Sequence, residues 1–145
     1  MNVESIMTRD VVTVSMDDTV GTVREIFHTH EFHHLVVVED GRVVGVVSDR
    51  DLLKNLSPFV GTKTERSQDA WCLEKRVHQI MRRQLVCVKP ETSVKAAMSL
   101  LMQNGVSCLP IVDDQQRCHG IVTWHDFLRF ALERGVEPGT LRRAG

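Results

Sequence analysis

The chain has 145 residues, with 18 Lys plus Arg against 19 Asp plus Glu and 42% hydrophobic residues. That length holds one domain, or two very small ones, around a real core, and the balanced charge excludes the strong basic field of a dedicated nucleic-acid binder. No apolar run approaches the roughly 20 residues that span a bilayer, and the N-terminus "MNVESIMTRD" has neither the charged nor the apolar region of a signal peptide; the expectation is a cytoplasmic protein with neither a nucleic-acid nor a membrane partner.

In chain order, "VVTV" (11–14) has the look of a short strand. An amphipathic helix follows, with Thr19 as candidate N-cap and Val20, Val23, Ile26 and Phe27 on one face. Residues 28–34, "HTHEFHH", then hold four of the seven histidines. "LVVVEDGRVVGVVS" gives two apolar runs around an Asp-Gly turn, a hairpin signal, and a short helix begins near Asp49. The polar stretch 57–75 reads as a linker, in which Trp71 is expected to be a packing residue. After it, "LVCV" (85–88) is a second short strand, and Val94, Ala97, Met98 and Leu101 form a second helical face behind the candidate cap Ser93. "LPIVDDQQRCHGIVT" is the second hairpin, and a last helix begins near Trp124. The four cysteines form no CxxC pair, and Cys87 and Cys108 sit in strand-like runs, so buried, reduced thiols are expected.

The two halves repeat. "ESIMTRDVVTVSMDDTV" (4–20) lies over "HQIMRRQLVCVKPETSV" (78–94), "HHLVVVED" (33–40) over "SCLPIVDD" (107–114), and, with one residue more in the turn, "GVVSDRDLL" (45–53) over "GIVTWHDFL" (120–128). The expected fold is α+β: two tandem β-α-β-β-α units, 1–56 and 76–134, joined by linker 57–75 and followed by a tail, 135–145. One unit has too little core to stand alone, so the two are expected to pack face to face as one module.

The repeated Gly-x-x-Ser/Thr-x-x-Asp carries the candidate chemistry. Gly45 and Gly120 lie inside strands, where glycine marks a bulge or a close backbone approach; a flat base fits against such a strand, with Val46 or Ile121 beneath it. Ser48 and Thr123 fall where a strand meets a helix N-terminus, a ready anion site. Asp51 and Asp126, one turn on, suit the two hydroxyls of a ribose. The same spacing is also close to a capping box, which needs no ligand.

The histidines give no metal pattern. His28 and His30 lie two apart at a helix end, His33 and His34 are neighbours that face opposite ways on a strand, and no pair has the i, i+4 spacing of a helical zinc site. Loop and surface positions are the plain reading for His28 and His30; imidazoles at most confer pH sensitivity. No nucleophile–base pair and no Walker lysine points to an enzyme.

The segments "IMTRDVVTV" and "IMRRQLVCV", the two hairpins, and "GVVSDRD" and "GIVTWHD" together resemble the CBS domain (named for cystathionine β-synthase), present as a tandem pair, or Bateman module, over about residues 1–134. The resemblance implies an adenosine-containing ligand: AMP, ADP or ATP, with S-adenosylmethionine or NAD(H) as further candidates. It also implies pockets that mix the two units. Thr123 and Asp126 would share one with His33, His34, Val11 and Val12, with His125 near the phosphates. Ser48 and Asp51 would share the other with Ser107, Cys108, Leu85 and Val86, with Arg50 as local cation. The first pocket is thereby expected to favour phosphorylated ligands. "HLVVV" lacks the proline common after the leucine, and Ser107 with Cys108 replaces bulkier basic residues. A homodimeric disc with its seam on the helices at 49–56 and 124–134 is implied, and so is an unknown protein target. The alternative is a structural adaptor with vestigial sites.

Overall fold

A computed structural model describes residues 1–135; the tail expected at 135–145 lies, past its first residue, outside them. The first unit runs β1 (Thr13–Ser15), α1 (Val20–Thr29), β2 (His34–Glu39), β3 (Arg42–Ser48) and α2 (Asp49–Lys54). Thr19 caps α1 as expected, its hydroxyl accepting from the Thr22 N–H at 3.2 Å. Val20 and Val23 turn fully inward, and Ile26 and Phe27 pack at the rim of the same core. The β2–β3 turn puts Asp40 at φ 51° and Gly41 at φ 77°, the left-handed pair that a two-residue hairpin requires and that Asp-Gly supplies with least strain. The three strands lie in the order β1-β2-β3, β1 parallel to β2 (Val14 opposite Val37) and β2 antiparallel to β3 (His34 opposite Ser48).

The second unit repeats this with α5 (Val94–Asn104), β4 (Cys108–Val112), β5 (Cys118–Thr123) and α6 (Trp124–Glu133). Ser93 caps α5 through the Ala96 N–H at 3.1 Å. The strand expected at 85–88 is where the repeat fails. Only Val88 bridges to Ile111, in the parallel register that Val14 makes with Val37, through Val88 N–H to Pro110 O (3.0 Å) and Val112 N–H to Val88 O (2.9 Å). The cause is Pro110. Its counterpart Val36 donates its N–H to Val12 O; a proline has none to give to residue 86, so the ladder stops one bond short and the sheet keeps two strands.

The linker also differs from expectation. It contains α3 (Ser67–Ala70), followed by a 3₁₀ turn over Trp71–Glu74. Trp71 does not pack: it is 62% exposed. Leu73 lies against Gly21 of α1 instead, where an added Cβ would meet its backbone oxygen at 3.4 Å.

Each unit opens with a helical segment that was not legible as one: a 3₁₀ turn at Val3–Ser5 and α4 (Val77–Ile80). These segments are exchanged. Val3 and Met7 belong to the core of Val88, Val94, Ala97, Leu101, Leu109, Ile111, Val122 and Phe127. Val77, Ile80 and Met81 complete the core of Val14, Val20, Val23, Leu35, Val37, Val47 and Leu52. Each crossing chain then clamps the edge of the other unit's last strand. Thr8 and Ile121 exchange both backbone hydrogen bonds (2.9 and 3.0 Å), as do Arg82 and Val46 (2.9 and 3.2 Å). A third cluster, Val36, Val43, Val46, Cys108, Val112 and Ile121, fills the space between the sheets. The units are thus tied by main chain as well as by apolar burial.

Candidate ligand site

Both aspartates of the repeated motif are buried, Asp51 at 7% and Asp126 at 6% exposure, and a buried carboxylate must have its oxygens satisfied. At α2 the partners are local first: Asp51 Oδ2 accepts from the Ser48 N–H (2.9 Å) and the Ser48 hydroxyl accepts from the Asp51 N–H (3.1 Å), a complete capping box. The second oxygen, Oδ1, meets Nε of Arg82 at 3.3 Å. Arg82 stands there because its backbone is clamped to Val46, two residues before Ser48.

At α6 Asp126 Oδ2 accepts from the Thr123 N–H (2.9 Å) and the Thr123 hydroxyl (3.3 Å). Its Oδ1 lies 3.8 Å from Arg129 Nη1, one turn along the same helix. His125 is occupied by that arginine, Nη2 to Nδ1 at 3.0 Å. The residue clamped to Ile121, in the place Arg82 takes at the other site, is Thr8. Two motifs with the same Gly-x-x-Ser/Thr-x-x-Asp pattern therefore have different charged surroundings: a cation from the opposite unit at Asp51, and one from the same helix at Asp126.

The histidines divide. His33, its side chain 74% exposed, pairs within its own unit with Asp49 (Nδ1 to Oδ2, 2.9 Å). His34 turns to the seam, where its Nε2 and the Ser107 hydroxyl share a hydrogen bond of 2.8 Å. Burial holds the His34 pKa below its ordinary value; Asp49 and Asp51 oppose that, while His33 and Arg82 add to it. Among the described residues no hydrogen bond or ion pair joins either histidine to Thr123 or Asp126; the link runs through Ser107, whose carbonyl accepts from the Trp124 N–H at 3.4 Å. The sequence set His34 with the Asp126 pocket and Ser107 with the Asp51 pocket; the hydrogen bond between them joins the two groups across the seam.

The apolar candidates also sort by face. Val46 and Ile121 lie in the seam cluster. Val12 and Val86 point into the two unit cores, while their neighbours Val11 and Leu85 line the seam. Gly45 and Gly120 are places of close approach, and what approaches is the crossing chain: a Cβ at 120 would sit 2.7 Å from both Thr8 O and Met7 Sδ, and one at 45 would sit 2.7 Å from Met81 Sδ and 3.1 Å from Arg82 O. Arg50 is exposed on α2.

An open groove of about 480 Å³ lined by Met81, Arg82, Arg83, Gln84, Asn104, Gly105 and Val106 lies beside Arg82 and includes no residue of either motif. A slightly larger groove, about 540 Å³ between α1 and Leu73, shares no residue with either motif. Arg82 is the site residue that the repeat alone did not reveal. Aligning "IMTRD" with "IMRRQ" sets it over Thr8, but only the exchange places it at Asp51. All four cysteines are free. Burial pushes the Cys108 thiol up to about 12 and raises those of Cys87 and Cys118, so these three are protonated at neutral pH. Among the described residues no three His, Cys, Asp or Glu side chains converge as a metal site requires, and no helix is long and apolar enough to cross a membrane.

This geometry has close parallels. A CBS domain-containing protein of Dictyostelium discoideum is 31% identical over 138 residues, which cover 94% of each chain. The inosine-5'-monophosphate dehydrogenase of Methanocaldococcus jannaschii is 33% identical over 127 residues; the match takes in 87% of this chain but spans only 23% of the dehydrogenase. A further M. jannaschii relative is matched over 46% of its length. Among solved structures, CBSX2 in complex with AMP superposes with a TM-score of 0.75 at 27% identity, over 92% of this chain and 97% of that one. The CBS domain pair of MJ0100, in complex with 5-methylthioadenosine and S-adenosyl-L-methionine, has the same fold at TM-score 0.76 and 23% identity, over 93% and 98% of the two chains. The CBS domain model itself matches twice, over residues 3–58 and 77–133, and the chain belongs to the CBS domain family as a tandem pair.

Proposed function

We propose that the chain is a non-catalytic regulatory module that binds an adenosine-containing ligand in the clefts between its two CBS units, acting as a nucleotide or energy sensor. The observation that carries this reading is the pair of buried carboxylates, Asp51 and Asp126, each at a helix start next to a strand that lines the seam. Each keeps one oxygen, Oδ1, outside the helix cap and held by an arginine alone, so a ribose diol has an acceptor within reach. The AMP complex of CBSX2 supports adenosine ligands for this architecture. The match to a quarter or less of a dehydrogenase supports a module that accompanies catalysis rather than performing it.

A second reading, a structural adaptor with vestigial sites, draws on one observation: both aspartates already serve as helix caps without any ligand. A homodimer belongs to either reading. Trp124, Leu128 and Leu132, spaced four apart on α6, are 45%, 59% and 77% exposed, and Leu53 on α2 is 69% exposed, an apolar stripe suited to a second copy.

A thermal-shift panel of AMP, ADP, ATP, S-adenosylmethionine and NADH, with and without magnesium, separates the two readings. A ligand at 100 times its dissociation constant stabilises the fold by about 2.7 kcal/mol, and the expected result is a rise in Tm with at least one adenine compound that is reduced in Asp51→Ala or Asp126→Ala. A well-folded protein that responds to none of them leaves the adaptor.

A further inference from the structure

We propose that Arg82 is the specificity determinant of the Asp51 site, making that site select adenine nucleotides that carry a phosphate over the unphosphorylated nucleoside. This rests on the nucleotide-binding reading above and names which of the two sites takes the charged ligand and why. Three observations carry it.

First, Arg82 comes from the opposite unit and is fixed by main chain: both backbone hydrogen bonds to Val46 hold it beside α2, and its Nε sits 3.3 Å from Asp51 Oδ1. Second, the guanidinium is not buried with the carboxylate. The Arg82 side chain is 55% exposed against 9% for Asp51, so it has room to turn from the carboxylate to a second anion. Third, the matching position at the other site is Thr8, uncharged, and the arginine at Asp126 is instead Arg129 of the same helix, already shared with His125.

The consequence follows from charge pairing. A ribose hydroxyl that takes Asp51 Oδ1 competes with Arg82 for that oxygen, and a bare nucleoside then leaves the guanidinium with a weakened hold on its carboxylate. A nucleotide provides the replacement: the phosphate is a charged acceptor that a guanidinium binds through paired N–H donors. Arg82 thus exchanges one anion for another as the ligand enters, and a ligand lacking the second anion is discriminated against. Arg82 is thus the cation that the Asp51 site receives from the opposite unit, whereas Asp126 has only Arg129 of its own helix beside it.

The test is calorimetry with AMP and adenosine on the Asp126→Ala protein, in which only the Asp51 site is read, with and without Arg82→Thr, the residue found at the matching position. AMP is expected to bind at least about tenfold more tightly than adenosine, a typical value for one charge-assisted contact. Arg82→Thr is expected to remove most of that preference, weakening AMP about tenfold and leaving adenosine unchanged or tighter; Arg82→Lys, which retains the charge, should keep a preference for AMP. The urea midpoint of each variant verifies that the fold is intact. An unaltered AMP-to-adenosine ratio in Arg82→Thr overturns the role of Arg82 while leaving nucleotide binding in place. Loss of AMP binding on Asp126→Ala alone assigns the nucleotide to the other site and overturns it too. Failure of the unmodified protein to respond to any adenine compound removes the underlying reading and this inference with it.

Discussion

Gly45 and Gly120 occupy equivalent strand positions, but the space around them differs in kind. At 120 a methyl group meets a main-chain oxygen, Thr8 O, at 2.7 Å; at 45 the nearest atom is the flexible Met81 Sδ, with Arg82 O farther off at 3.1 Å. Overpacking against fixed backbone costs about 1–3 kcal/mol, so Gly120→Ala is expected to destabilise by that amount and Gly45→Ala by less, an order that urea midpoints check. His34 makes a pH prediction at the same scale. Its folded pKa lies below the ordinary imidazole value of 6.5 because of burial, so protonation favours the unfolded chain. The contribution is full above the unfolded pKa and is lost as pH falls below about 6.5. Unfolding free energies measured between pH 8 and pH 5 are expected to decline, and the decline should be shallower in His34→Gln.

At the scale of elements, one imino acid separates the two sheets. Val36 gives β1 a hydrogen bond that Pro110 is unable to give to residue 86. Pro110→Val is expected to restore that bond, since valine already fills the matching position in the first unit. Hydrogen exchange should then reveal a protected amide at 110 and slower exchange around Val88. No change in protection at Val88 would mean that the segment 85–88 is held off by packing at Leu85 and Cys87 rather than by the missing donor. The helices needed no such adjustment. Their caps, Thr19 and Ser93, are local, and the apolar faces behind them were readable from spacing alone.

At the scale of the molecule, the exchange of residues 3–8 and 77–82 makes the two units one cooperative body. Val3, fully buried, is a core residue of the second unit although it opens the first, and Val77 is the reverse. Neither unit keeps its full core when the other unfolds. The two tryptophans test this, because Trp71 starts the linker's 3₁₀ turn, whose Leu73 lies against α1 of the first unit, and Trp124 starts the last helix of the second. Fluorescence of Trp71→Phe and Trp124→Phe proteins is expected to give urea transitions with a single midpoint once each variant's own stability, measured by circular dichroism, is accounted for. Separate fluorescence and circular dichroism midpoints within one variant would mean that the units unfold independently.

The repeat, the hairpins, the helix caps and the two Gly-x-x-Ser/Thr-x-x-Asp motifs were legible in the amino-acid sequence because each depends on neighbours a few residues away: a turn needs its Asp-Gly, a cap its hydroxyl, a helix its spacing. The reciprocal exchange was not legible, because nothing local tells Val3 which of two similar cores it will enter. From that exchange follow the clamps at Val46 and Ile121, the reason for Gly45 and Gly120, and the meeting of Arg82 with Asp51 across 31 residues of chain. The motif spacing determined where the two carboxylates sit; which cation faces each of them was decided by tertiary structure, since a side chain brought in from the opposite unit leaves no spacing in the sequence to read.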